Sequence, residues 1–285
     1  MKLILSRKGT DSSAGGLPSP ILPDGRLLSL PIPQEDGPVK YSALQANGQS
    51  LSSLIKHLGG KQWRGGCHLD PDIDPALLSE PERWLPAFGQ SGAAQRHLEQ
   101  EGVAEGDLFL FFGWFRQTEK VKGRLQFVKG APDIHLIYGW LQVGEILRPD
   151  GDNTAEILAR YPELESHPHL TKNYPFNCIY LPSEQLTVDG QVINGKAGYG
   201  TFSYYHSDLQ LTTPGENRTQ WTLPECFYPE VFDRALSYHR QPWRWQLGDG
   251  DCRLQAAARG QEFVLDLTQH KGVPKWLRSV IETVT

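Results

Sequence analysis

The chain has 285 residues and a mass of 32.0 kDa, enough for one large domain or two small ones with a buried core. Hydrophobic residues at 39%, charged residues at 21% and a mean hydropathy of −0.44 exclude a mainly disordered chain and a polytopic membrane protein. The 28 Lys and Arg against 33 Asp and Glu give a formal charge of −5, which argues against a surface coated for bulk nucleic-acid binding but leaves room for a local basic groove.

In chain order, residues 2–5 (KLIL) predict a short strand, too short an apolar run for a secretion signal. It leads into a Gly-, Ser- and Pro-rich stretch over 6–20 that also carries Arg7, Lys8 and Asp11. Asp24-Gly25 between apolar runs predicts a hairpin, and Pro31 and Pro33 push the following residues to an edge. Helical spacing appears in the second half of 42–58, with Gly59-Gly60 as its stop. A polar, proline-containing loop follows, and then a helix over 92–100 with Gly102 as its C-terminal signal.

Two aromatic-rich runs, 107–115 and 134–146, carry the central strand signal. Each contains Gly-Trp, at Gly113-Trp114 and Gly139-Trp140, which predicts two paired strands kinked at similar points. Further strands are expected at 177–182, 200–205, 209–212 and 261–267, and a helix from Pro274. With 29 Gly, 21 Pro and no internal repeat or linker, the expectation is a single domain over 1–285. Its class is α+β: strand-dominated, with a mixed or barrel-like sheet and a few flanking helices. Cys67, Cys178, Cys226 and Cys252 form no CxxC pair, so no disulfide framework is expected and a reducing cytoplasm is the expected location.

Four groups of residues carry chemistry. A strand feeding the loop Ser6-Arg7-Lys8-Gly9-Thr10-Asp11-Ser12-Ser13-Ala14-Gly15-Gly16 can present backbone N–H groups and cations to phosphate. Arg7 would fork onto phosphate oxygens, Lys8 would act as a point charge, and Asp11 would take a proton or order the loop. The loop is neither a Walker nor a Rossmann fingerprint, so no cofactor is assigned.

Next, Cys67-His68-Leu69-Asp70-Pro71-Asp72-Ile73-Asp74 holds suitable divalent-ion ligands. Its prolines suggest a turn and no second cluster has standard spacing, so no metal ligand is assigned. Third, His167 and His169 around Pro168, together with His135 and His206, are acid–base candidates that spacing alone does not pair. Finally, Trp114, Trp140, Tyr138, Trp221, Trp243 and Trp245 offer stacking surfaces, although core packing accounts for most such residues.

The runs SRKGTDSSAGGLPSPILPDG, CHLDPDI, GDLFLFFGWFR, IYGWLQVGEI and GQEFVLDL resemble the third class of the nucleotide modification associated domain families. The likeness covers nearly the whole chain, and its first motif is distinctive. It implies a setting in which modified DNA bases are made or processed, without fixing a reaction. The matching positions are Ser6, Arg7, Lys8, Asp11, Ser12, Gly15, Gly16, His68, Asp70 and Asp72. A weaker likeness to PUA-like and ASCH/EVE-like barrels lies around Gly106-Asp107 and the run GWLQVGEI.

The leading expectation is an enzyme of unspecified reaction class that modifies or processes a DNA base or nucleotide. Asp11, His68 and Asp70 are its candidate catalytic residues. Ser6, Arg7, Lys8, Ser12, Ser13, Gly15, Gly16, Trp114 and Trp140 are its candidate substrate contacts. Arg7 and Lys8 would hold phosphate, Asp11 or His68 would move a proton, and Asp70 and Asp72 would position a metal or the substrate. One alternative is a non-enzymatic reader of modified bases with an aromatic pocket, and another is a metal-dependent nuclease using His68, Asp70 and Asp72.

Overall fold

The computed structural model describes residues 1–285 apart from 61, 62, 64, 79–83, 259, 261 and 285. The two aromatic runs become long antiparallel partners, Leu108–Val121 and Ile134–Leu147. Both faces of the first are buried over most of its N-terminal half, which explains why its sequence is continuously apolar rather than alternating. Their pairing slips between Ile137 and Gly139. A side chain on Gly139 would meet Ile73 Cδ1 at 2.5 Å and the Gly200 carbonyl at 2.8 Å, so the bulge coincides with a close approach. Gly113, opposite Leu136, lies in regular register. The two Gly-Trp steps therefore do not kink together.

The strand Lys2–Arg7 runs parallel to the first long strand and antiparallel to Glu262–Asp266. On the other side, Ile134–Leu147 pairs with Cys178–Pro182, which pairs with Phe88–Gln90. Three short strands, Ser19–Ile21, Arg124–Phe127 and Tyr199–Thr201, complete a nine-stranded mixed sheet among the described residues. It curls as a half-barrel, and with five helices the fold is α+β and strand-dominated. The run 209–212 is not a strand. It leaves the turn Ser207–Leu209 and makes single bridges at Gln210 and Thr212.

Helices form at Leu51–His57, Gly92–Gln100 and Val273–Val284, as the sequence predicts, beside two more at Thr154–Arg160 and Pro168–Thr171. Ser50 Oγ accepts from the Ser53 amide at the start of the first. The last buries Val273, Leu277, Val280 and Ile281, a helical stripe against the main core. No helix among the described residues is long and apolar enough to cross a membrane.

Under the sheet, Phe88, Phe109, Phe111 and Tyr180 form a ring cluster whose adjacent centroids lie 5.0–5.6 Å apart. Such pairs add about 0.5–1.5 kcal/mol each beyond their buried area. This apolar floor carries the polar groups described next. A smaller sheet of Ile32–Gln34, Gly66–His68 and Val39–Lys40 ends at His68 and brings the histidine towards it.

Candidate functional site

Side chains alternate along the N-terminal strand, so Ser6 and Lys8 leave one face and Arg7 the other. The sequence-predicted loop is thereby divided. Lys8 Nζ lies 3.1 Å from Glu262 Oε1 and 4.6 Å from the Phe88 ring centre, with Lys8 6% and Glu262 1% exposed. Its charge is matched in the interior instead of facing solvent phosphate. Gln90 Nε2 donates to the same Glu262 oxygen at 2.5 Å, while Ser6 Oγ and Glu262 Oε2 are buried without a partner among the described residues.

Beside Lys8, the fold brings His68 and Asp70 together with His169 from the helix Pro168–Thr171. One potential ligand atom from each lies within 4.8 Å of the others. Gly89 is the reason they fit. Its amide donates to Asp70 Oδ1 at 2.9 Å, and a Cβ there would sit 2.2 Å from His169 Cδ2. Asn177 fixes the His169 ring: Asn177 Nδ2 donates to the His169 carbonyl at 2.6 Å, leaving Oδ1 to accept from His169 Nδ1–H at 2.7 Å. His68 Nε2 and His167 Nε2 are buried with no partner among the described residues. The His167 ring centre is 6.4 Å from that of His68 and 5.6 Å from that of His169.

Burial, reinforced by His169 and Lys8, pushes the His68 imidazole down to about 3. Burial with His169 pushes His167 down to about 3 as well. His169 is also lowered, chiefly by burial. All three are therefore neutral near pH 7, with one nitrogen lone pair each. Burial, with the charges of Asp70 and Asp74, pushes Asp72 up to about 7. Asp74 is raised by burial and caps the turn at Ala76.

Asp70 has a second position in the architecture. With Asp72, Asp74, Gly9, Ser29 and Tyr138 it lines a cavity of about 430 Å³. That volume is in the range of small-molecule sites, and apolar walls with a few convergent polar groups are their usual make-up.

Arg7 leads to a separate group. Its Nη1 donates to the Ala258 carbonyl at 3.2 Å, and burial lowers its pKa, opposed by Asp11 and reinforced by the like charge of Arg218. Arg218 Nη2 donates to Ser12 Oγ at 3.2 Å and its guanidinium lies 4.3 Å from the Trp114 ring centre. Trp114 Nε1 is buried without a partner among the described residues. Asp11 Oδ1 accepts from the Ser13 amide, Ser13 Oγ and the Ala14 amide, each at 2.7 Å. Burial raises this carboxyl, but those bonds and Arg7 outweigh it and hold the group below its ordinary value. The carboxylate orders the turn.

Gly15 and Gly16 take positive φ of 88° and 63° in that turn, and Trp63 Nε1 donates to the Gly15 carbonyl at 3.1 Å. Trp140 is 4% exposed and packs on Phe202, its Nε1 donating to the Ala197 carbonyl. Sequence reasoning missed Gly89, Gln90, Asn177, Arg218 and Glu262. It noted His167 and His169 but had nothing to pair them with His68, a hundred residues away.

No curated protein and no solved structure gives a significant match. The family model for nucleotide modification associated domain 3 matches residues 2–266, including every residue of the two groups above. The chain belongs to the nucleotide modification associated domain 3 family.

Proposed function

We propose that the protein is an enzyme that binds a nucleotide, free or within DNA, and processes its base in the cavity lined by Asp70. The observation that carries this reading is the double position of Asp70: it belongs to the buried histidine cluster and to the wall of a ligand-sized cavity. Membership of a family described as nucleotide modification associated supports a nucleotide or DNA substrate. Asp72 and Asp74 add polar groups for the edge of a base, and Tyr138 and Ile73 an apolar wall. Asp70, with His68 behind it, is the candidate catalytic group that positions the reacting part of the substrate; Asp11 keeps the loop in shape. The paired guanidiniums of Arg7 and Arg218, with Ser12 and Trp114, are the candidate contacts for phosphate or a strand.

The test is incubation with nucleoside monophosphates and short DNA, with and without modified bases, read by mass spectrometry. Product formation that falls about 100-fold or more in Asp70→Asn supports the proposal. Asn keeps an oxygen to accept from the Gly89 amide. Turnover unchanged in Asp70→Asn would move the chemistry elsewhere. Tight binding of modified DNA with no product, weakened by Trp114→Ala or Arg218→Ala, would favour the reader, which the buried, unpartnered Trp114 Nε1 beneath Arg218 makes the second reading.

A further inference from the structure

We infer that His68, Asp70 and His169 bind one divalent first-row transition-metal ion. The inference stands apart from the nucleotide reading, because metal binding is measured with no nucleotide present.

Three features on different segments support it. The first is the donor set. Two imidazoles and one carboxylate, with a ligand atom from each inside 4.8 Å, are the donors that zinc, iron(II), cobalt and manganese accept. Donors about 2.0–2.1 Å from a common ion stand roughly 3.0–3.4 Å apart, so closing the set takes small side-chain rotations. Calcium and magnesium prefer oxygen-only shells and fit less well.

The second feature is the direction of the lone pairs. Asn177 takes the Nδ1 proton of His169, so the neutral ring keeps its free lone pair on Nε2. This is the outer-shell pattern that orients metal-binding histidines. His68 Nε2 is buried and has no partner among the described residues, a costly state for a polar nitrogen unless something occupies it. Asp70 receives one hydrogen bond from Gly89 on Oδ1, which leaves Oδ2 for an ion.

The third is a donor left over beside the set. The His169 amide donates to His167 Nδ1 at 3.3 Å, so neutral His167 carries its proton on Nε2. That N–H is buried without an acceptor. A water or substrate oxygen on the ion is the kind of acceptor it lacks. Lys8, the nearby cation, is paired with Glu262, whose carboxylate offsets part of its repulsion of an ion. With three protein donors, coordination positions remain for water or substrate, next to the cavity that Asp70 lines.

The experiment uses untagged full-length protein stripped with a chelator. It is titrated with Co²⁺ and followed by visible absorption, and Zn²⁺ retained after desalting is counted by elemental analysis. One equivalent is expected in the wild type. His68→Gln, His169→Gln and Asp70→Asn should each weaken binding about tenfold or more, and Asn177→Ala by about 10- to 100-fold, all with unchanged far-UV circular dichroism. Asp70→Asn keeps the Gly89 hydrogen-bond acceptor, so it remains informative if the histidine variants fold poorly. Retention below about a tenth of an equivalent in the wild type would overturn the inference, as would binding of undiminished strength in a folded Asp70→Asn or His68→Gln protein.

Discussion

Gly89→Ala is the sharpest perturbation of the buried cluster. The added Cβ would lie 2.2 Å from His169 Cδ2 and 2.7 Å from its Cγ and Nε2, where ordinary contact begins at 3.4 Å. The ring must retreat by the difference, about 1.2 Å, or the edge strand must move. His169 is only 4% exposed and is held twice by Asn177, so neither response is free. Overpacking of this kind costs about 1–3 kcal/mol. In a His169→Ala background the obstruction is gone. The same Gly→Ala change then only restricts the unfolded chain, which is neutral or stabilising by about 0.4–1 kcal/mol.

The pair therefore predicts a change of sign. Urea denaturation of the four proteins in the cycle should give a coupling of at least about 1 kcal/mol. An equal cost for Gly89→Ala in both backgrounds would refute the packing of this ring on this glycine, and so would no cost in the wild type.

Three further outcomes follow from buried groups elsewhere. His239 is fully buried, its Nδ1 bonded to the Ser237 carbonyl and its Nε2 accepting from the Ala257 amide; burial, helped by Arg244, pushes it down to about 4. Its folded pKa lies below the unfolded value near 6.5, so its contribution is complete above about pH 6.5 and is lost as pH falls towards 4. That loss amounts to about 3 kcal/mol, and denaturation curves across this window should be shallower in pH for His239→Gln; an unchanged slope would contradict it. Lys8→Met leaves Glu262 buried without its cation and should cost about 3–5 kcal/mol, most of it recovered in Lys8→Met/Glu262→Gln. No recovery in the double variant would mean that the pair is not the source. Asp11→Ala removes the acceptor of three turn hydrogen bonds and should lower Tm by roughly 2–4 °C, about 1 kcal/mol, while an unchanged Tm would show the turn holds without it.

The strands at 108–115, 134–146, 178–182 and 262–266 were legible because aromatic and β-branched runs between turn residues have few other conformations open to them. The helix at 92–100 was legible from its glycine stop, which takes φ +67° at Gly102. The run 209–212 misled because LQLT alternates like a strand, whereas the chain needs those residues to leave a turn and touch Leu136 and Trp221 one bridge at a time.

The site was legible in pieces. His68, Asp70, His167, His169 and Lys8 each stood out by residue type, but their convergence depends on the sheet order, which places Phe88–Gln90 beyond Cys178–Pro182. Nothing local in the sequence encodes that neighbourhood. In sequence, Arg7 and Lys8 are neighbours in one loop and both are candidate phosphate contacts. Strand alternation separates them, and Glu262, 254 positions from Lys8, supplies the partner that keeps Lys8 inside.

The proposed function depends most directly on a nucleotide binding at the Asp70 wall. Thermal unfolding of wild type, Asp70→Asn and Arg7→Ala against a panel of nucleoside monophosphates and short modified and unmodified DNA tests it directly. A ligand at about 100 times its Kd should stabilise the wild type by about 2.7 kcal/mol. This stabilisation should largely disappear in Asp70→Asn and weaken in Arg7→Ala. An equal shift in Asp70→Asn, or no shift with any member of the panel, would contradict it.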